Sequence, residues 1–209
     1  LAPRPAFLPG VVGAVGAGEP GPADPRSDRE RLGLPERYFV YTGRYDARQD
    51  LATLLRALGE MAVAGRPSGA KAGVPWPPRV LLVGASPDDR AALARAAGRA
   101  GVGESLLYAP QLPPARLAAL VAGARAALLP VVSEAAGLAA IEAIACGVPV
   151  VASAVGPLPE IVGPAGILVE PRDPARLATA LSAAWADERV HGRLARATRE
   201  RASASSRTW

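Results

Sequence analysis

Short apolar runs alternate with longer amphipathic stretches over most of this chain. The apolar runs have the length of strands and lie at 37–42, 79–84, 105–110, 124–130, 148–153 and 166–170. The stretches between them are rich in Ala, Leu and Arg and predict helices near 48–63, 87–100, 114–123, 137–146 and 173–187. This alternation is typical of βαβ units. We therefore expect an α/β fold with a parallel sheet of about six strands and helices on both faces.

The regions outside this pattern suggest where the domain begins and ends. Residues 1–32 contain many Pro and Gly and show no hydrophobic period, so they are predicted to form an irregular lead-in. The domain is expected over 33–187. Residues 188–209 are predicted to form a tail, in which a helix near 188–203 leaves the domain. The connection 64–78 is longer than usual and is interpreted as a surface insertion.

Composition narrows the class of protein. With 209 residues, of which 50% are hydrophobic, the chain can bury one sizeable core. The net charge of +5 comes with scattered arginines and only 4% aromatic residues, which fits a small anionic ligand at least as well as a nucleic acid. We therefore predict no nucleic-acid partner.

Two residue types that often mark special chemistry occur once each. Cys146 is the single cysteine, which excludes internal disulfides and multi-cysteine zinc sites and is compatible with the cytosol. It is predicted to pack in the core. His191 is the single histidine and lies in an arginine-rich stretch, where a solvated surface position is expected. A site built on a histidine base or a histidine-bound metal is therefore not predicted.

No segment of the chain predicts a membrane span or a leader. The uncharged run 143–159 is broken by prolines and glycines, and Leu1 is not followed by a charged-then-apolar leader. We expect a cytoplasmic protein. The glycine-rich stretch 11–18 is not a dinucleotide loop, because Pro20 and Pro22 follow where a helix would have to begin.

Two glutamates flank a predicted passage from strand to helix. Glu134 precedes Gly137, and Glu142 follows it within the predicted helix. Parallel sheets bind ligands at the carboxyl ends of their strands, and the amides of Gly137, Leu138 and Ala139 would be free donors for a phosphate. Glu142 could accept hydrogen bonds from a ribose, and Glu134 would face whatever follows the phosphates. The alternative is that both carboxylates are merely solvated.

The stretch "SEAAGLAAIEAIACGVPVVASAVGPLPEIVGPAGILVEP" resembles a known family. It is similar to the C-terminal domain of retaining, nucleotide-sugar-dependent glycosyltransferases with two Rossmann-like domains, in particular glycosyltransferase family 4. The shared features are two glutamates separated by seven residues, a Gly-x-Pro-Val-Val strand and a Pro-Glu loop. A second match is "YTGRYDARQDLATLLRAL" at 41–58, which resembles the family's Gly-Arg loop. The resemblance covers about 37–187 and implies one half of a GT-B glycosyltransferase.

The resemblance implies roles for individual residues. Gly43 and Arg44 would hold the donor diphosphate together with the amides around Leu138, and Glu142 would hold the ribose. Glu134 would contact the sugar near the reacting centre, so Glu134 and Arg44 are the expected catalytic residues. The donor would be a nucleotide-diphosphate sugar, and neither a metal nor another cofactor is implied.

Further positions match less closely. Backbone groups near Pro110 and Leu112 would face the base, with packing in the core as the alternative. Gln49 falls at the donor-binding position where the family usually has a lysine. Other departures are Ala135 and Ala136 in place of Gly-Phe, and Pro110 and Pro157 at places that are commonly glycine. For Glu160, in the Pro-Glu loop, a structural hydrogen bond and a ligand contact are equally open.

The resemblance also bears on partners. The family's N-terminal, acceptor-binding domain has no counterpart in this sequence, so an isolated C-terminal domain is expected, inactive without that partner. Any association with a membrane would occur only through the full-length protein. Two alternatives stay open: a non-catalytic binding or scaffold module with the same fold, and a domain like that of a sugar-nucleotide epimerase.

Overall fold

The structure is a computed structural model that describes residues 25–68 and 72–205. The glycine-rich stretch 11–18 lies outside these residues. In the described parts, strands and helices alternate in the order α1 (Pro25–Arg31), β1 (Phe39–Tyr41), α2 (Leu51–Ala64), β2 (Val80–Val83), α3 (Pro87–Arg99), β3 (Leu106–Ala109), α4 (Pro114–Ala122), β4 (Ala126–Leu129), α5 (Leu138–Ala145), β5 (Val150–Ser153), α6 (Leu158–Val162), β6 (Gly166–Val169), α7 (Pro174–Ala186) and α8 (Glu188–Ser205). No helix among them is both long and apolar enough to cross a membrane.

The strands form one parallel sheet in the order β3-β2-β1-β4-β5-β6. The chain starts in the middle of the sheet, builds outward to β3, and then returns to place β4 on the other side of β1. Neighbouring loops therefore diverge between β1 and β4, which is the topological switch point. This arrangement confirms the predicted α/β, Rossmann-like fold.

Helices cover both faces of the sheet, because alternate strand residues point to opposite sides. Phe39 and Tyr41 pack in a core with residues of α2, α3 and α7. Tyr38 and Val40 belong to a second core with residues of α4, α5 and α6. Burial on both faces explains why the strands read as continuous apolar runs in the sequence.

Two tryptophans of the described residues, Trp76 and Trp185, differ in how deeply they are buried. Trp185 of α7 is only 1% exposed, and its ring centroid lies 4.9 Å from that of Phe39. Trp76 lies before β2, at the amino edge of the sheet, where its Nε1 donates to the carbonyl oxygen of Met61 at 3.0 Å. Val74 is buried as well. Residues 64–68, 72 and 73 are exposed, as expected of a surface insertion, whereas the stretch from Val74 to residue 78 packs against the domain and was not expected to.

Helix α1 is a second difference from the prediction, which placed no element in the lead-in. Asp28 is only 3% exposed and accepts hydrogen bonds from Arg31 and from Arg116 of α4, with Arg116 Nε at 2.7 Å from Oδ2. The charged partners hold the pKa of Asp28 below its usual value, although burial opposes the shift. An ion pair across a long sequence separation stabilises this helix, so no local hydrophobic period could reveal it.

Helix α8 was expected to leave the domain but packs against it. Its contacts are with α5, with α7 and with the turn at 163–165. Leu194 and Thr198 are buried, and Thr198 Oγ1 donates to the carbonyl oxygen of Ala165 at 3.3 Å. The buried face is made of a leucine, a threonine and small residues among many arginines, which is why the hydrophobic pattern was too weak to predict the docking.

Charged residues cluster at the amino edge of the sheet, where α8 begins. Arg37 donates to Glu188 at 2.8 Å, and Arg125 donates to the same carboxylate at 3.1 Å and to the carbonyl oxygen of Ala184 at 3.0 Å. His191 is half-buried, with Nε2 at 3.1 Å from the carbonyl oxygen of Arg125. Burial lowers the pKa of His191, and the Arg125 charge adds to that effect. The prediction of a solvated histidine was wrong.

Candidate functional site

The loops that follow β1 and β4 meet at the carboxyl edge of the sheet, on either side of the switch point. The Asp50 amide donates to the carbonyl oxygen of Pro130 at 2.7 Å, and the Val132 amide donates to that of Arg48 at 2.8 Å. Gln49 and Val131 form an antiparallel bridge between these two contacts. The two segments singled out in the sequence are therefore joined directly at the switch point, which is where open parallel sheets bind ligands. We call this place the crevice.

The loop after β1 is shaped by Tyr41. Its hydroxyl donates to the carbonyl oxygen of Arg44 and lies 3.0 Å from Gln49 Oε1. A Cβ on residue 43 would come within 2.5 Å of that hydroxyl, so only glycine fits at Gly43. Tyr41 was not predicted as a site residue, because its strand position indicated only core packing.

Arginines of this loop surround one carboxylate. Arg44 has a side chain that is 78% exposed, and its Nε lies 3.1 Å from Asp46 Oδ2. Arg48 donates to both carboxylate oxygens of Asp46, at 3.3 Å and 2.7 Å. Hydrogen bonds from Arg48 and the charges of both arginines lower the pKa of Asp46 to about 2. Positive charge thus accumulates at the rim of the crevice, partly neutralised by Asp46.

The loop after β4 leads into α5 through Gly137. This residue is left-handed, with φ 65°, and a Cβ there would lie 2.4 Å from Ile161 Cδ1. The left-handed backbone favours glycine, and a larger residue would also displace the end of the Ile161 side chain. Leu138 and Ala139 follow in the first turn of α5, where amide groups have no partner within a helix. The positive end of the helix dipole and these amides face the crevice.

Glu134 is folded onto its own loop. Its Oε1 accepts hydrogen bonds from the amides of Ala135 and Ala136, both at 3.0 Å, and of Gly137 at 2.9 Å. Burial alone would raise the pKa of Glu134, but the amide donors and the nearby charge of Arg48 outweigh it, and the pKa is lowered. The Gly137 amide, expected to be free for a phosphate, is therefore engaged here.

Glu142 differs from Glu134 because it has no protein partner. It is half-buried on α5, and no described residue donates a hydrogen bond to its carboxylate or forms an ion pair with it. Burial raises its pKa. Burial, with the charge of Glu142 nearby, also raises the pKa of the Cys146 thiol to about 11. Cys146 is partly buried and packs against the second core, as predicted for it.

Asp50 links three loops and was missed in the sequence. It is the N-cap of α2, where its Oδ1 accepts from the Thr53 amide at 3.4 Å. Its Oδ2 accepts from the amide of Arg172, in the loop after β6, at 3.0 Å. Its own amide donates to Pro130. An aspartate before an apolar helical stretch is an N-cap signal, so the helix start could have been read here rather than at 48.

The positions expected near a base lie at the end of β3. Pro110 is exposed, whereas the side chain of Leu112 is 6% exposed and belongs to the core. Only the backbone of Leu112 is therefore available to a ligand. Close by, the Tyr45 hydroxyl donates to the carbonyl oxygen of Val83 at 3.0 Å. This hydrogen bond ties the loop after β1 to the end of β2.

The loop after β5 supports the Glu134 loop from behind. Ser153 Oγ accepts from the Val131 amide at 3.0 Å. At Gly156 a Cβ would lie 2.2 Å from the carbonyl oxygen of Glu134, so the two loops are in backbone contact. Glu160, in α6, contributes its backbone carbonyl to a hydrogen bond from Arg201. Over the described ranges, no group of three His, Cys, Asp or Glu side chains is arranged to hold a metal ion.

A six-stranded parallel sheet with a topological switch point makes this chain an α/β, Rossmann-like protein, and sheets of this kind commonly bind ligands at their carboxyl edge. Residues 36–187 match the family model described as glycosyl transferases group 1. The chain belongs to this family, as the resemblance in the sequence predicted.

Individual relatives agree with the family. D-inositol 3-phosphate glycosyltransferase from Acidothermus cellulolyticus is 34% identical over 177 residues, which are 77% of this chain and 36% of that protein. The same enzyme from Frankia alni is 36% identical over 77% of this chain and 40% of its own length. The chain thus spans well under half the length of these relatives.

Solved structures show the same fold. Sucrose-phosphate synthase from Thermosynechococcus elongatus has a TM-score of 0.66 and 33% identity, over 86% of this chain and 44% of the enzyme. HepE from Anabaena, in complex with UDP and glucose, has a TM-score of 0.71 and 22% identity, over 88% and 48%. The C-terminal domain of a group 1 glycosyl transferase from Francisella tularensis has a TM-score of 0.69 and 19% identity, over 88% and 93%.

Proposed function

We propose that this chain is the donor-binding domain of a glycosyltransferase that uses a nucleotide-diphosphate sugar and retains the configuration of the transferred sugar. The observation that carries the proposal is Glu142, a half-buried carboxylate without a protein partner, one turn beyond the open amides of α5. Its carboxylate is free to accept hydrogen bonds from a ligand, and its partial burial makes such bonds stronger than they would be in open water.

The donor diphosphate would bind between the two joined loops. The amides of Leu138 and Ala139 and the dipole of α5 favour an anion at this point. Arg44 and Arg48 lie across the crevice, held near each other by Asp46. Their guanidinium groups would leave Asp46 for the more highly charged diphosphate, since Asp46 is only one carboxylate shared by two cations.

The ribose and base would extend along α5 and toward the end of β3. Glu142 would accept hydrogen bonds from the two ribose hydroxyls, and burial, which raises its pKa, would be offset by such donors. Backbone groups near Pro110 and Leu112 would contact the base. The fold similarity to HepE, which was solved with UDP and glucose, supports a nucleoside diphosphate as the ligand type.

Glu134 would act on the sugar with one of its two oxygens. Oε1 is fixed by three backbone amides, whereas Oε2 accepts no hydrogen bond from the described residues. These three hydrogen bonds to Oε1, which we call the Glu134 clamp, would hold Oε2 pointing toward the sugar that follows the diphosphate. During transfer the anomeric carbon becomes cationic and the leaving phosphate gains negative charge, which Arg44 and the α5 amides would stabilise.

Calorimetric titration of nucleoside diphosphates against the purified chain tests the proposal. Glu142→Ala should weaken binding by about 1.5–3 kcal/mol, the range for hydrogen bonds to a charged group. Glu60→Ala, which removes an exposed glutamate from the C-terminal half of α2, is the matched control and should bind like the original chain. If both variants bind the nucleoside diphosphate equally well and keep native circular dichroism, Glu142 does not contact the ribose and is merely solvated.

A non-catalytic binding module is the second candidate, and one observation favours it. Gln49 brings no charge to the crevice, and its Oε1 is occupied by Tyr41. Such a module would bind a nucleotide sugar without transferring the sugar. Joining this chain to the remaining half of a group 1 relative and measuring donor hydrolysis or transfer distinguishes the two, because only a transferase cleaves the donor.

A further inference from the structure

Arg172 adopts a backbone conformation that arginine rarely takes. Its φ is 61°, and every other described residue with a positive φ is a glycine. In this left-handed region the Cβ of an L-residue crowds the following carbonyl oxygen, whereas glycine avoids the contact. The position would therefore be more stable as glycine. Strain that persists in a folded chain is often associated with a functional site.

The strained residue is tied to the crevice. The Arg172 amide donates to Asp50 Oδ2 at 3.0 Å, and the Asp50 amide donates to the carbonyl oxygen of Pro130 at 2.7 Å. Arg172 thus connects the loop after β6 to the two loops that line the switch point. Its loop therefore lies at the same edge of the sheet as the crevice.

The side chain of Arg172 is exposed and forms no ion pair with any residue that the structure describes. Its neighbours in the sequence include Asp173, which pairs instead with Arg176 at 3.4 Å. Arg44 and Arg48 share Asp46. Among Arg44, Arg48 and Arg172, only the Arg172 side chain forms no ion pair with a carboxylate of the described residues.

We propose that Arg172 binds a phosphate group of the substrate at the rim of the crevice. The inference rests on the proposed function and adds a residue to it. A guanidinium group can hold phosphate oxygens through two parallel hydrogen bonds, which glycine at this position could not provide. The phosphate belongs either to the donor diphosphate or to a phosphorylated acceptor, the kind of molecule for which the D-inositol 3-phosphate glycosyltransferases are named.

The test combines thermal stability with binding of two probes, UDP and D-inositol 3-phosphate. Arg172→Gly relieves the strain and removes the charge, so the melting temperature should rise by about 2–4 °C, the usual effect of a small stabilisation in a domain of this size. Affinity for the probe that Arg172 contacts should fall about tenfold, as expected for loss of a charge-assisted hydrogen bond. Arg172→Lys keeps both strain and charge and should retain most of the affinity.

Arg95→Ala is the matched control, because it removes one exposed arginine from α3. It should change neither quantity. A loss of UDP affinity in Arg172→Gly assigns the donor diphosphate, and a loss confined to D-inositol 3-phosphate assigns the acceptor. Higher stability with weaker binding is a combination that a merely structural arginine would not produce.

Two results would overturn the inference. The first is binding of the probes that depends on Glu142 but is equal in Arg172→Gly and the original chain, which leaves the proposed function intact. The second is a lower melting temperature in Arg172→Gly, which would assign the side chain to folding. If the original chain binds neither probe, both this inference and the proposed function fail together.

Discussion

Gln49 is the residue at which the crevice departs most from the family resemblance. Its side chain accepts a hydrogen bond from Tyr41 at 3.0 Å, and its backbone joins the loop after β4. The residue therefore has a structural role that needs no charge. The neighbouring Arg48 lies close enough to Glu134 for its charge to influence that carboxylate, and could supply the missing positive charge.

We predict that Gln49→Lys tightens binding of a nucleoside diphosphate by about 1–2 kcal/mol, because the added charge lies near the phosphates in a partly solvated site. The gain should shrink as salt concentration rises. Arg48→Ala belongs in the same titration series and should weaken binding if Arg48 already compensates. If Gln49→Lys, Arg48→Ala and Arg44→Ala all leave the affinity unchanged, no diphosphate is held at this loop.

Glu134 should show a pH dependence that follows from its amide contacts. Its folded-state pKa is below the ordinary value of 4.5, so the clamp is fully formed above that value and is lost as pH falls through the lower folded one. Glu134→Gln should mimic the acidic state and cost about 1 kcal/mol of stability. Amide hydrogen exchange at Ala135–Gly137 measures the clamp, and unchanged protection in Glu134→Gln would contradict it.

Part of this site could be read from the sequence. Glu134, Glu142 and Arg44 stand just after strand-like runs or in the helix that follows, and the carboxyl ends of parallel strands converge by geometry. Asp50 and Arg172 could not be paired in the same way, because their hydrogen bond joins residues far apart in the chain. The left-handed backbone of Arg172 runs against the usual preference of arginine, so the sequence gives no sign of it.

At the scale of elements, the sequence predicted the strands correctly because burial on both faces makes their residues apolar. The strand runs were located correctly because both faces of the sheet are covered, which leaves little room for polar residues. Helices α1 and α8 were misjudged, since their docking depends on Asp28, on Thr198 and on small side chains rather than on a stripe of large apolar residues. The same weakness suggests that α1 is the helix most easily released.

Acid should release α1 from α4. The pKa of Asp28 is depressed in the folded chain, so its stabilising contribution is present above the ordinary value of 3.8 and is lost as pH falls through the lower folded value. Asp28→Asn should reproduce this at neutral pH by weakening the contacts with Arg116. In Asp28→Asn, the amides of residues 28–34 should exchange faster while those of the sheet exchange at the same rate as in the original chain. Unchanged exchange over 28–34 would argue against the prediction.

At the scale of the whole molecule, the proposed function makes this chain one wall of a reaction site. Its relatives are more than twice as long as the part they share with it. We predict that the purified chain binds a nucleoside diphosphate but does not transfer sugar to an acceptor, because excluding water from the reacting centre requires a second surface that closes over the crevice. Robust glycosylation of an acceptor by this chain alone would refute the prediction.

The positions of Trp76 and Trp185 determine which changes their fluorescence can detect. Trp185 is sealed in the core against Phe39, and Trp76 lies at the amino edge of the sheet, opposite the crevice. Emission from Trp185 should therefore shift to longer wavelength when the chain unfolds, as water reaches its ring. A ligand in the crevice would leave these two indole rings in their surroundings and should barely alter their emission. The fluorescence of Trp76 and Trp185 can thus follow folding while being nearly blind to occupancy.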